Sequence, residues 1–284
     1  MAAWPALYVA SAVVYLAQLS GVWRLLPAPV AVGLVGMAFF AAIGTYLLDR
    51  VKLRDAWLDP ADAMAQPKRY AFLTKHTRAC RVLMIASLAA AAALGAWLTP
   101  WLAAVPLLSA SGVVLYAGKP KGKAARPKDV LIIKNAYVAA GIVGFAALLL
   151  AGAQGHGSIG AISHEVFRSA FIFGMVTLGL RVAADAVLCD LDDQRADATF
   201  GTETLPTRFG RDSAWKIAFF ARLGTAAVLV AVPLGPLPSR LAWAACTIVS
   251  SVWLRAAAPE SIRDWVDSRF AIEAIAATVL AMLA

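Results

Sequence analysis

Asp190, Asp193 and Asp197 are spaced i, i+3 and i+7. On a helix that spacing turns all three carboxylates to one face. Carboxylates so close repel one another unless a cation or a cationic ligand sits among them. Mg²⁺ takes oxygen ligands and is commonly held by one or two carboxylates plus substrate phosphates. A magnesium-assisted reaction at a phosphate group is therefore the chemistry these residues suit. Asp192 falls on the opposite face and reads as a solvated helix end. Arg181 and Asp185 precede the triad at i, i+4 spacing, inside an apolar stretch. Ionisable residues there are costly and mark functional sites, although the two could simply pair with each other.

A second acidic stretch holds Asp49, Asp55, Asp59 and Asp62. Of 17 acidic residues in the chain, 11 lie within 49–79 and 185–212. Asp55 and Asp59 are i, i+4 to each other. Asp59 is followed by Pro60, and Asp before Pro is an N-cap with proline at the first helical position. That pair predicts a short helix over 60–65. Asp62 reads as solvated. Between the two acidic stretches, Lys119, Lys121, Lys123, Arg126 and Lys128 form a basic run. It could hold a phosphate group, or simply set membrane orientation.

The elements that must position these residues are membrane helices. The 284 residues are 61% hydrophobic and 15% charged, with a mean hydropathy of +0.72. A soluble domain is nearer half apolar and a quarter charged. A membrane crossing needs about 20 mostly apolar residues. Nine such segments are present, at roughly 6–23, 28–48, 80–99, 101–117, 130–152, 165–188, 213–234, 237–255 and 267–284. The first lacks a basic leader and a small-residue cleavage site, so it reads as a span. The expected fold is all-α: one polytopic domain over 1–284, with cytoplasmic acidic loops near 49–79 and 189–212. Runs of Ala and Gly, as at 89–93 and 141–147, suit close helix packing.

Loop charge sets the orientation. Segments at the ends of spans two, four, six and eight hold 21 of the 26 Lys and Arg residues, and those on the other side hold three. Basic residues collect on the cytoplasmic side, so the N-terminus is expected there. The same count accounts for the net charge of +9 without nucleic acid. Three cysteines and three histidines are scattered with no C-x-x-C pair, which argues against a disulfide framework, a zinc site or haem.

The string D-x-x-D-x-x-x-D-x-x-x-G-x-x-T-L-P, from Asp190 through Gly201 to Thr204-Leu205-Pro206, resembles the second aspartate motif of the UbiA superfamily of intramembrane prenyltransferases. Arg181, nine residues before it, and Asp185, five before it, are also similar to that family. So are Tyr116, Lys119 and Lys134-Asn135, which resemble its tyrosine-and-lysine segment between spans four and five. The layout of nine spans extends the resemblance over essentially the whole chain. It implies a helical bundle around a large central cavity open to lipid, with the diphosphate end of a substrate at the cytoplasmic mouth.

The first motif departs from the family pattern N-D-x-x-D-x-x-x-D. Only Asp49 is in register; Leu48 replaces the Asn, and Lys52 and Ala56 stand at the other two aspartate positions. Two accounts remain open. Asp55 and Asp59 could supply metal ligands through a shifted backbone. Alternatively, Lys52 and Arg54 could contact the diphosphate directly, Arg bidentately and Lys as a point charge.

The resemblance implies that Asp190, Asp193, Asp197 and Asp49, with Asp185 as a further candidate, hold Mg²⁺. Arg181, Lys119, Lys134, Lys52, Arg54 and Tyr116 would hold the diphosphate. A polyprenyl group would pass to a lipophilic, aromatic acceptor in the cytoplasmic membrane of a prokaryote. The damaged first motif keeps a non-catalytic prenyl-lipid binder in view. A CDP-alcohol phosphotransferase lacks support because its D-G-x-x-A-R opening is absent. A transporter would show paired, broken helices at mid-membrane, and no convincing pair is present.

Overall fold

The computed structural model describes residues 2–53, 55, 58–117, 129–131, 133–153, 164–257 and 261–283. Among the described residues there are α-helices, short 3₁₀ turns and no strands. The helices are α1 (Ala3–Leu19), α2 (Ala28–Val51), α3 (Pro60–Ala65), α4 (Pro67–Lys75), α5 (Thr77–Leu98) and α6 (Val105–Ala117). They continue as α7 (Ile133–Ala153), α8 (His164–Thr199), α9 (Leu205–Phe209), α10 (Arg211–Ala231), α11 (Leu237–Ala257) and α12 (Ile262–Leu283).

All nine apolar segments read from the sequence coincide with helices. Six stretches are long and apolar enough to cross a membrane: α2, α5, Pro100–Ala117, α7, Arg168–Thr199 of α8, and α10. The other three differ in degree. Helix α1 has 17 residues, α11 carries Arg240 and Arg255 among several polar residues, and α12 carries five charged side chains. The two acidic stretches fold further: 49–79 contains α3 and α4, and 189–212 contains the end of α8 and all of α9. Helix α3 spans Pro60–Ala65, and the Asp59 carboxylate accepts the Ala61 N–H at 3.1 Å, as the Asp-Pro pair predicts.

Helix α1 packs against α2, α7, α8, α11 and α12. The longest helix, α8, has 36 residues, about 54 Å at 1.5 Å per residue. That exceeds a hydrocarbon core of about 30 Å, so its acidic end projects past the apolar layer. Helices α2 and α5 meet closely at glycines. A Cβ at Gly44 would lie 2.6 Å from Leu88 Cγ, and one at Gly33 would lie 2.7 Å from the Trp97 ring. Small residues at such contacts let backbones approach when no water-driven force holds the helices together.

Five buried charged residues join the helices on the far side of α1. Arg181 of α8 pairs with Glu273 of α12 and donates to Thr247 of α11 at 2.8 Å. Arg222 of α10 pairs with Asp185 of α8, and reaches Glu273 at 3.1 Å and Ser251 at 2.7 Å. Arg269 of α12 donates to Asp185 at 2.8 Å, and Tyr8 of α1 donates to its other oxygen at 2.9 Å. All five charged side chains are buried, and the Arg181 guanidinium lies 4.2 Å from the centre of the Phe270 ring.

The structure gives Arg181 and Asp185 partners beyond each other. They are internal members of a helix-binding network whose other charged members lie 37 to 92 residues away in sequence. Breaking a buried ion pair from one side leaves an uncompensated charge, a cost of about 3–5 kcal/mol. Arg222→Met is therefore expected to lower stability by about that amount, read as a lower midpoint of thermal unfolding in detergent.

Candidate active site

The end of α8 has a local explanation for each residue of its motif. Gly201 has φ of +67°, a left-handed turn that glycine adopts without strain and that commonly ends a helix. The chain then restarts as α9. Thr204 is the N-cap, its backbone N–H donating to Thr207 Oγ1 at 2.8 Å in a capping box, and Pro206 occupies the first turn. Gln194 Nε2 donates to Pro206 O at 2.8 Å, pinning α9 against α8. Gly201, Thr204 and Pro206 therefore fold the chain back beside the three aspartates.

Lys134, in the first turn of α7, inserts its ammonium between two of them. Its Nζ lies 2.7 Å from Asp190 Oδ1 and 3.2 Å from Asp197 Oδ2. Arg263, at the start of α12, holds the third: Nη2 lies 2.5 Å from Asp193 Oδ2 and 3.3 Å from Cys189 O. Asp192 accepts the backbone N–H groups of Ile262 and Arg263 at 3.2 and 2.9 Å. It is therefore the N-cap of α12 rather than a solvated helix end. A carboxylate there also complements the positive end of that helix.

Across from α8, the end of α2 presents Asp49. Its Oδ1 lies 2.7 Å from Lys52 Nζ, and its Oδ2 lies 3.7 Å from Arg50 Nε. Arg50 also binds Asp62 at 2.6 Å, so Asp62 is a structural partner and not free in solvent. Asp49 and Tyr116 both line a cavity of about 520 Å³ between α1, α2, α6 and α7. Below them its walls are apolar, with Val105, Leu108, Phe145 and Leu148. Tyr116 stacks on Tyr137 with ring centres 5.0 Å apart. Helix α7 carries both Tyr137, which lines this cavity, and Lys134, which pairs with Asp190 of α8, so the ends of α2, α7 and α8 meet around one mouth.

The remaining sequence candidates separate from this group. Asp55 is 76% exposed at its side chain and pairs with Arg81 at 2.7 Å. Asp59 caps α3. Neither supplies the shifted ligand set considered for the first motif, because α2 ends at Val51 and the following turn directs Asp55 outward to α5. Arg54 and Lys119 lie outside the described residues. Arg50 and Arg263 are site cations that sequence reasoning missed. Both were visible only as contributions to loop charge, since their partners come together through tertiary packing.

Among the described residues, no three acidic, His or Cys side chains stand ready to enclose a metal. Two oxygens are nevertheless vacant: Asp190 Oδ2 and Asp193 Oδ1 are buried without hydrogen-bond partners. A buried, unpaired carboxylate oxygen is expensive to maintain, and an oxygen-seeking divalent ion meets that need. The α8 carboxylates therefore fit Mg²⁺ once Lys134 or Arg263 gives way.

No family model matches the sequence, and no curated protein matches it. Solved structures do match. A UbiA homolog from Aeropyrum pernix K1 aligns at TM-score 0.68 and 15% identity, over 98% of this chain and 97% of that one. A UbiA homolog from Archaeoglobus fulgidus bound to GPP and Mg²⁺ aligns at TM-score 0.56 and 16% identity, over 98% and 96%. A digeranylgeranylglyceryl phosphate synthase aligns at TM-score 0.54 and 14% identity, over 99% and 94%. The likeness runs end to end in each case, and this chain has the UbiA fold.

Proposed function

We propose that this protein is an intramembrane prenyltransferase, moving a polyprenyl group from its diphosphate to a lipophilic, aromatic acceptor. One observation carries the reading. Three clustered carboxylates of α8, two with buried oxygens that lack hydrogen-bond partners, are joined through Lys134 to α7, whose Tyr137 lines an apolar cavity headed by Asp49 and Tyr116. A charged headgroup and a hydrocarbon tail fit that pairing, and the solved homolog that shares the fold is bound to GPP and Mg²⁺. Both substrates would reach the cavity from the bilayer.

The roles follow from position. Asp190 and Asp193 hold Mg²⁺ through their vacant oxygens, with Asp197 completing the carboxylate face. Mg²⁺ when bound supplies Lewis-acid stabilisation of the departing diphosphate. Lys134 and Arg263 pass from carboxylate to phosphate oxygens as the substrate settles. Tyr116 lines the cavity at its charged head, stacked on Tyr137, where its ring would meet the first carbons of the prenyl chain. The apolar walls exclude water that would otherwise capture that electron-poor carbon before the acceptor does.

A second reading, a UbiA-like binder of prenyl lipids without transfer, draws on the first motif, where Asp49 faces Lys52 and Arg50. Purified protein supplied with labelled prenyl diphosphates and a panel of aromatic acceptors separates the two. Transfer predicts diphosphate release that depends on Mg²⁺, whereas binding without release across the panel favours the second reading. Asp193→Asn is expected to lower the release rate at least ~100-fold, a few kcal/mol of lost stabilisation. An unchanged rate removes the metal role of Asp193. Lys134→Met frees the oxygens that the ammonium now occupies. Divalent-ion binding without substrate should tighten about tenfold as an internal competitor is lost, measured by Mn²⁺ titration.

A further inference from the structure

We propose that the α2 side of the mouth grips the diphosphate with two fixed cations, Arg50 and Lys52, so that the site takes a single divalent ion, held by α8. This inference rests on the prenyl-diphosphate reading above and assigns the division of labour within it.

The first observation is a backbone one. Lys52 follows the last residue of α2 and has φ of +50°, the single non-glycine residue with positive φ among the described residues. A lysine there is strained. Lysine side chains normally lie in water, yet this one is 3% exposed and points at Asp49. The strain has a dedicated clamp. Arg81 of α5 donates Nε to Lys52 O at 3.1 Å and Nη2 to Val51 O at 3.4 Å, while Asp55 anchors the same guanidinium at 2.7 Å. The fold thus holds an uncomfortable turn whose effect is to aim an ammonium inward. Strain that the surroundings maintain in this way clusters at functional sites.

The second observation is a vacancy on the neighbouring side chain. Arg50 Nε is buried and has no hydrogen-bond partner, although Nη1 of the same group is fully engaged with Asp62. A guanidinium anchored at Asp62, with its Nε 3.7 Å from Asp49 Oδ2 and short of a hydrogen bond, has an N–H left to give to an anionic oxygen.

The two sides then differ in charge. On α2, Asp49 and Asp62 face Lys52 and Arg50, so these pairs leave no excess negative charge for a second metal. On α8, Asp190, Asp193 and Asp197 face Lys134 and Arg263, an excess of one negative charge with two buried oxygens that lack hydrogen-bond partners. A divalent cation is drawn to α8 rather than to α2. A diphosphate bridging the mouth therefore meets metal at one end and fixed nitrogen donors at the other. Lys serves as a point charge and Arg as a directional donor.

Counting metal tests this directly. Purified protein is equilibrated with Mn²⁺ and geranyl diphosphate, and the Mn²⁺ retained per chain is measured together with geranyl diphosphate affinity. One Mn²⁺ per chain is expected. Arg50→Gln should weaken geranyl diphosphate binding at least about tenfold, the worth of a charged hydrogen bond, with the metal count unchanged. Lys52→Gly is the sharper variant. Glycine relieves the positive φ, so thermal stability should hold or rise, while geranyl diphosphate affinity still falls. A merely structural lysine would not give that split. Two Mn²⁺ per chain, or an affinity unmoved in both variants, overturns the inference while leaving prenyl transfer standing. Failure of the unaltered chain to bind geranyl diphosphate with any divalent ion overturns both.

Discussion

Three arginines and two carboxylates, enclosed among α1, α8, α10, α11 and α12, are the constraint on which the rest of the bundle depends. Helices in lipid gain little by burying apolar surface against one another. They need specific attachments, and here one set of charges supplies them. Asp185 receives Arg222, Arg269 and Tyr8, so a single residue of α8 is tied to three other helices. Glu273 does the same from α12, through Arg181 and Arg222. The attachment is directional as well as strong, since guanidinium and carboxylate meet in fixed planes. It sets the rotation of α8 about its axis. Five residues beyond Asp185, that rotation delivers Asp190 and Asp193 to the mouth.

The two acidic ends of the protein are unlike because they rest on unlike supports. The α8 end is a continuous helix prolonged past the apolar layer, and a regular helix displays evenly spaced carboxylates on one face. The α2 end stops at Val51, and a clamped turn takes over. No helical face survives there to present a second and third aspartate. What the turn can present is one inverted side chain, and that side chain is a lysine. The chemical asymmetry of the mouth is thus a consequence of where each helix stops.

Features that depend on near neighbours were legible in the sequence. The Asp59-Pro60 cap acts within a few residues, and apolar runs announce the helices; Gly201 and Thr204 act as locally, but in the sequence they stood only as parts of the motif. The i, i+3, i+7 spacing placed the α8 carboxylates on one face. Contacts between distant segments were not legible. Arg263 and Asp192 meet Asp193 and the α12 backbone across about seventy residues of chain, and nothing local in α12 marks its first turn as part of a site. Arg181 and Asp185 show the same limit. Their types and their spacing to the motif suggested ligand contact, and their side chains come to 3.9 Å of each other. Their stronger partners, however, lie on helices whose approach no periodicity reveals.

The capping of α12 by Asp192 has a consequence for the resting protein. Asp192 and Asp193 are adjacent, so the residue that fixes the start of α12 sits beside the one that Arg263 neutralises. Under the proposed reading, an ion at Asp193 would displace the Arg263 side chain but not its backbone, whose N–H is fastened to Asp192 one residue away. The guanidinium would then act as a tethered counter-ion. Among the described residues, Asp49 and Asp62 are matched by Lys52 and Arg50, and Asp190, Asp193 and Asp197 by Lys134 and Arg263. The mouth therefore keeps its charge in internal pairs, and any headgroup it takes must trade places with one of them.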